Sequence, residues 1–477
     1  MHSARHTMMT CCWSALLALF FAIWSQGSLY ASDPRSAVYS SESQKIFWFL
    51  VVSDTHIGAN GFDGEQNLEW VVSEAMQTIS PAFIVNTGDL TDSTNWSSSG
   101  YPDGPHVEEW IMYRSILDRN YVDATFYYDL PGNHDGFGDR DFSYYLNYSI
   151  QGSAGGQTQF SWNRTFDFGT YHFLAINTCG NEGSDFSFKP PQYGDNSGLD
   201  ASEMQFIRND LEANAHADLT MIFGHHLLVS RETDLSDPTP DPLEDMTMTA
   251  LSYGGDEFIS LMEEFDPLMY VYGHSHVYRE EFFTKGMSEG VVYLNVASMT
   301  KNETMNYNIV AIDNNGLSTK ACTIGTWPAV IITAPLDKNL GMRNDPYTTN
   351  IQDGTGDTKP IRALVFDKNP VVRVDYRMYK IKNTVGDVVD EAVKRASEQI
   401  EVETMWQPMT QVSPSHPSYP FLWTAEYQAP PESGDYTIEV RAIGSSTQWD
   451  AVPTSFPADP VDDDGFCFIT TATGSGR

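Results

Sequence analysis

Five short stretches of this 477-residue chain carry side chains that could do chemistry together. They are Asp54-Thr55-His56, Gly88-Asp89-Leu90-Thr91-Asp92, Gly132-Asn133-His134-Asp135, Gly224-His225-His226 and Gly273-His274-Ser275-His276. Carboxylate, amide and imidazole donors of this kind suit divalent ions such as Mn, Fe or Zn, and a histidine among them can move protons. Each stretch alone is weak: Asp-x-His recurs by accident, and Gly-Asn is usually just a turn. A single histidine behind an apolar run is more often structural than a ligand. The set is stronger than its parts, because six of the twelve histidines fall in these turns.

Each stretch follows an apolar run of strand length. Phe47–Val52 precedes Asp54, Phe83–Val85 precedes Asp89, and a run ending at Leu130-Pro131 precedes Asn133. Leu219–Phe223 precedes His225, and Leu268–Tyr272 precedes His274. Tyr171–Ile176, Val291–Val296 and Ile309–Ile312 read as further strands. Leu68, Val71, Val72, Ala75, Met76 and Ile79 keep helical spacing, a second helix runs from Val107 to Leu117, and Asp200–Glu203 has the spacing of a capping box. Strands apolar on both faces, separated by helices, predict an α/β layered core. In such a sheet the carboxyl ends of the strands line one edge, so the five turns converge despite their separation in sequence.

In this order, D-x-H, G-D-x-x-D, G-N-H-D, G-H and G-H-x-H resemble the calcineurin-like metallophosphoesterases, over about residues 47 to 313. The resemblance implies an α/β layered sandwich of that family, and a smaller all-β immunoglobulin-like sandwich is expected after it. It implies two divalent metal ions, Mn, Fe or Zn. Asp54, His56, Asp89 and His276 would hold one; Asp89, Asn133, His225 and His274 would hold the other, with Asp89 bridging. A hydroxide bridging the ions would attack phosphorus in line, and His134, oriented by Asp92, would protonate the leaving oxygen. The implied activity is hydrolysis of a small phosphate ester, with monoester, diester and nucleotide left open. Leu227 stands where many relatives place Pro, which leaves His225 or His226 as the ligand, with His225, directly after glycine, preferred. Asp92 stands where purple acid phosphatases use an iron-binding tyrosine, which argues against an iron–tyrosinate site. His106-Val107-Glu108-Glu109-Trp110 with Tyr113 is similar to a eukaryotic multipass membrane family that joins the same two domains to membrane spans. His106 is read either as approaching substrate or as packing a helix start, and Asn95, Trp96 and Tyr101 either as a pocket rim or as an ordinary loop.

The remaining chain sets the context. The phosphoesterase domain is expected over 45–325. Ala329–Ile332, Ile361–Phe366, Val371–Tyr379 and Tyr436–Val440 predict a β-sandwich over 328–457, with Asp387–Glu403 a short helix or insertion. Residues 1–31 read as a signal peptide: Arg5, then an apolar stretch from Ala15 to Trp24, shorter than the roughly 20 residues a bilayer requires, then Ala31. An exported protein, periplasmic or extracellular and without a transmembrane span, is expected. Residues 458–477 read as a flexible acidic tail whose Cys467-Phe468-Ile469 resembles segments near the ends of some exported bacterial proteins. With 64 acidic and 27 basic side chains the formal net charge is −37, which argues against wide contact with duplex nucleic acid or an anionic bilayer. A small anionic substrate remains compatible, since bound cations invert the local field. Five cysteines do not make a disulfide scaffold. A competing class is a non-catalytic extracellular binding protein that uses the fold as a scaffold and meets a surface or protein through its sandwich. The complete ligand set and His134 favour the enzyme.

Overall fold

The computed structural model describes residues 45–456, apart from 96–100, 103, 180–196, 231–247, 250, 252, 284–289, 302–304, 342, 344–357, 382–399, 404, 413–420 and 429–433. The expected signal peptide, the C-terminal tail, Trp96 and most of the Asp387–Glu403 piece lie outside the described residues.

All seven residues of strand β1 (Ile46–Val52) are buried, so the strand needs cover on both faces, and that need shapes the architecture. β1 pairs in parallel with β2 (Ile84–Asn86), which pairs in parallel with β3 (Tyr127–Asp129). The first crossover is helical from Gly64–Trp70 through a π turn, Val71–Ala75, to Met76–Ile79, and the second carries the helix Val107–Arg119. A second sheet follows, made of β4 (Phe160–Phe166), β5 (Gly169–Ala175), β6 (Leu219–Phe223), β7 (Met269–Tyr272), β8 (Arg279–Phe283) and β9 (Val291–Asn295). Its order is β8–β9–β7–β6–β5–β4, with β9, β7, β6 and β5 mutually parallel. The chain then returns to the first sheet as β10 (Asn306–Asp313), antiparallel to β1, and β11 (Gly316–Thr323), giving the order β11–β10–β1–β2–β3.

Aromatic rings join the two sheets. The Phe49 ring lies 4.6 Å from Phe83, 5.9 Å from Phe173 and 6.2 Å from Phe223, so side chains of both sheets share one core. Against the second sheet, the helices Ala201–Ala213 and Gly255–Phe265 bring Ile207, Leu211, Phe258 and Leu261 into a cluster with Ile222 and Tyr270. The Asp200 side chain accepts from the Ser202 and Glu203 N–H groups while Glu203 accepts from the Asp200 N–H, the reciprocal cap its spacing predicted. The expected α/β layered fold is the observed one.

Beyond it, β12 (Ala329–Ala334), β13 (Thr358–Phe366), β14 (Arg373–Ile381), β15 (Ile400–Glu403), β16 (Gln407–Pro408), β17 (Thr410–Gln411), β18 (Leu422–Gln428), β19 (Gly434–Ile443) and β20 (Thr447–Phe456) form two more sheets. Their orders are β12–β13–β18–β17 and β15–β14–β19–β20, with β16 added to β14. Val330, Ile332, Ile361 and Val365 of one sheet pack with Val374, Ile438, Val440 and Ala442 of the other, so this region is a β-sandwich with its own core. It is also attached firmly. Trp48, on the opposite face of β1 from Phe49, places its ring 5.4 Å from Phe366 and 5.8 Å from Phe421. At the end of β10, the buried Asp313 carboxylate takes Arg362 Nε at 2.7 Å and the Thr333 hydroxyl at 2.8 Å. Among the described residues no helix is long and apolar enough to cross a membrane.

Candidate metal centre

The five turns meet because the parallel ladder continues past the strands. The Asp54 N–H donates to Gly88 O and the His56 N–H to Asp89 O, both at 2.9 Å, so the first two turns run side by side. A side chain at Gly88 would come within 2.7 Å of Gly132 N, and one at Gly132 within 2.2 Å of Asp89 Oδ1; glycine lets the second and third turns touch. Asp54, His56, Asp89, His274 and His276 have φ of 52°, 42°, 53°, 65° and 61°. A left-handed backbone costs about 1–2 kcal/mol for each such residue. Strain concentrated at the facing chemical groups, and held by their hydrogen bonds, is typical of functional sites.

Two groups of donors result, sharing one carboxylate. In the first, His276 Nε2 lies 3.3 Å from Asp54 Oδ1 and 3.2 Å from His56 Nε2, and His56 Nε2 lies 3.7 Å from Asp89 Oδ2. In the second, His225 Nε2 lies 3.3 Å from Asp89 Oδ2 and 3.1 Å from Asn133 Oδ1, which is 2.9 Å from His274 Nδ1. Asp89 Oδ2 therefore stands between imidazoles of both groups, while its Oδ1 accepts the His134 N–H at 2.8 Å.

The donor set fits a cation. Asp54 Oδ1 is buried and receives no hydrogen bond in acceptable geometry; its near neighbours are ring nitrogens. The His225 Nδ1 donates to Thr87 O at 2.9 Å, which leaves the Nε2 lone pair facing Asp89 and Asn133. His226 turns its Nδ1 to the Thr178 hydroxyl at 3.0 Å, although its ring stays within reach of His225 and His274. His225 is thus the histidine aimed at the shared carboxylate.

His134 is placed beside the first group, its ring 4.6 Å from that of His56. Its orienting contact differs from the expectation in its atom. His134 Nδ1 donates to the Asp92 main-chain carbonyl at 2.5 Å, whereas the Asp92 carboxylate is 4.0 Å away. That carboxylate instead faces His56 Nδ1 at 3.3 Å and binds the Lys301 ammonium and the Thr94 hydroxyl. A buried carboxylate is drawn to the nearest cation and donors, and Lys301 supplies them.

Two further contributors were given no role of their own from the sequence. Asp135 braces the turns by accepting from the N–H groups of Leu90, Thr91 and Gly132. Ser298–Lys301, directly behind β9, obeys the same strand-end logic as the other turns but lacks histidine and glycine, so nothing marked it. At the His106 run, His106 Nδ1 pairs with Glu109 Oε1, whose Oε2 takes the Ser93 N–H, and Tyr113 hydrogen-bonds Asp129. Asn95 and Tyr101 are backbone register partners in a two-strand hairpin.

Charge follows the same geometry. Burial pushes Asp54 up, but the His276 ring 3.3 Å from its Oδ1 outweighs it and holds the carboxyl at about 2. Asp89 is likewise pushed up by burial and brought well below the usual range by His225 and His134. Burial lowers His134 to about 3 and, with the charge of His225, His274 to about 4. Burial also opposes the charge on His225, yet Asp89 raises it to about 9. Burial and the charge of Asp89 raise Asp135 to about 7 against the pull of its three N–H donors. Ionised carboxylates beside the neutral His274 suit a divalent ion, and binding one would release the proton that Asp89 keeps on His225.

Residues 47–278 match the family model of the calcineurin-like phosphoesterases. Transmembrane protein 62 of Mus musculus is 26% identical over 351 residues, covering 71% of this chain and 48% of that protein. An Arabidopsis thaliana protein named as a metallophosphoesterase is 28% identical over 148 residues, covering 29% of this chain and 20% of its own length. The chain thus spans about half the length of the mouse relative and about a fifth of the plant one. Among solved structures, a phosphoesterase-like protein of Streptococcus pneumoniae aligns with 58% of this chain and 90% of its own, at 11% identity and a TM-score of 0.25.

Proposed function

We propose that this protein is an exported hydrolase of phosphate esters that works with two divalent ions. The observation that carries the reading is Asp89 Oδ2, placed between His56 of one donor group and His225 of the other. Asp54, His56, Asp89 and His276 would hold one ion, and Asp89, Asn133, His225 and His274 the second. Bound ions supply neutralisation of the phosphoryl oxygens and a nucleophile generated from water near neutral pH.

The chain's own residues do the rest. The His276 side chain is 27% exposed and His134 18%, while Asp54, His56 and His225 are fully buried, so substrate arrives over the first two. Because His134 Nδ1 carries the proton given to Asp92 O, its Nε2 is the atom that faces the leaving group. Burial keeps this imidazole neutral, and a phosphoryl anion against Nε2 would favour its taking up a proton there from solvent. Once charged, it passes that proton to the departing oxygen. Export rests on the N-terminal sequence pattern, and the ester type is left to measurement.

The test is metal analysis of the full chain supplied with Mn, Fe or Zn, followed by nitrophenyl and alkyl mono- and diesters. Two ions per chain and turnover of at least one ester class are expected. No bound ion would refute the reading; bound ions without turnover across the panel would favour the scaffold alternative.

A further inference from the structure

We infer that Lys301 is a positioning residue of the metal centre, acting through the Asp92 carboxylate on His56. The inference deepens the two-ion reading and takes from it only that His56 ligates an ion.

The segment before Lys301 is clamped onto the first ligand turn. The Met299 N–H donates to Ser53 O at 3.1 Å, the Ser298 hydroxyl to Asp54 O at 3.0 Å, and the Thr300 hydroxyl to Thr55 O at 2.7 Å. Three consecutive carbonyls of the turn are thus satisfied by three consecutive residues. Ser298 Oγ also accepts the Thr300 and Lys301 N–H groups, and Asn67 Nδ2 donates to Met299 O. A loop held at so many points delivers its next side chain to a defined place. That side chain is Lys301, and its ammonium binds Asp92 Oδ1.

Asp92 Oδ1 is also the atom 3.3 Å from His56 Nδ1. His56 is fully buried, so water does not choose its tautomer. Nδ1 makes no well-aligned hydrogen bond, so the Asp92 carboxylate acts on it through its charge, favouring the proton there and leaving the Nε2 lone pair toward Asp54, Asp89 and His276, as outer carboxylates tune ligand histidines. Exposed ion pairs contribute little, but here the Asp92 side chain is 0% and the Lys301 side chain 12% exposed. His134 hangs on the Asp92 carbonyl rather than its carboxylate, so Lys301 acts on His56 and leaves the His134 contact in place.

The experiment titrates metal-free full-length protein with Mn²⁺ or Zn²⁺ by calorimetry. Wild type should bind two ions. Lys301→Met should weaken one of them by about 10–100-fold and spare the other; Lys301→Arg should recover most of the loss. In metal-free protein, nitrogen NMR of His56 should report the Nδ1–H tautomer in wild type and a mixture in Lys301→Met, with unchanged melting temperature. Should Lys301→Met fail to fold, Lys301→Gln carries the same expectations. Two ions bound with wild-type affinity by the Met or Gln variant would overturn the role, as would an unchanged His56 tautomer. A lowered melting temperature with both ions weakened equally would make Lys301 a structural brace and overturn it too. Wild type binding no ion would overturn the phosphoesterase reading itself, an outcome read without any variant.

Discussion

Buried carboxylates are treated differently in the two regions of the molecule. In the β-sandwich, Asp375 is fully buried and takes Arg373 Nε at 2.6 Å and Arg441 Nη2 at 3.1 Å. Glu439 pairs with Arg377, and Arg377 and Arg441 stack on Trp406 with distances of 4.7 Å and 4.0 Å to its ring. These charges are cancelled permanently by guanidinium groups. In the phosphoesterase layers Asp54 and Asp89 face ring nitrogens and backbone N–H groups instead. The backbone follows the same division. Every non-glycine residue with positive φ among those described lies before β11, and none lies in the sandwich. A carboxylate closed off by arginine builds a fold; one among imidazoles on a strained turn leaves room for a cation.

That contrast can be broken most forcefully at Asp89. Asp89→Asn keeps the shape but offers a neutral amide where two groups share a charge, so both ions should be weakened and ester turnover should fall by roughly 10³-fold or more. Metal analysis with kinetics on one substrate checks it, and full retention of both ions would erase the difference between the regions. Next comes His134→Ala. The rate for an alkyl ester should fall by about 10²–10⁴-fold, and less for a nitrophenyl ester, whose leaving group departs without a proton. Metal content should stay at the wild-type value; equal losses for both esters would remove the proton-transfer role.

A permanent pair behaves otherwise. Arg362→Met strands the buried Asp313, which is 1% exposed, and should cost about 3–5 kcal/mol of stability in chemical denaturation. Metal binding at 25 °C should be unchanged, because the pair joins the sandwich to the first sheet away from the donor groups. The smallest effect lies at the junction of the regions, in a cavity of about 160 Å³ lined by Glu280 of β8 and by Asp337 and Asp450 of the following region. Burial, with the charges of Asp337 and Asp450, raises Glu280 from 4.5 to about 7 against the hydrogen bond from Tyr278 and the charge of Lys320. The folded chain therefore holds a proton that the unfolded chain has released, so stability should decline as pH rises from about 4.5 to about 7. The slope is at most about 1.4 kcal/mol per pH unit for one proton. Glu280→Gln should flatten that decline, and an unchanged slope would remove Glu280 from the junction's charge balance.

Read from the chain alone, the fold class and the converging turns were within reach. Apolar runs of strand length, helical spacing and the Asp200 cap are local signals, and the rule that strand ends share an edge turns them into a site. That the polar residues of the five turns come together was legible for the same reason, since candidate ligand chemistry is written in residue types. Contacts between segments distant in sequence were not. Nothing local says that Asp92 would give its carbonyl to His134 and its carboxylate to His56 and Lys301, since both atoms belong to one residue and only packing chooses between them. His225 and His226 are neighbours of equal chemistry, and Thr87 and Thr178 decide which one faces Asp89. Trp48 sits in an apolar run like any other, and only the sandwich laid against it shows why both faces of β1 are apolar. Period and residue type are properties of a short stretch of chain, whereas a side chain's partner is set by whichever distant segment folding brings within a few ångströms of it.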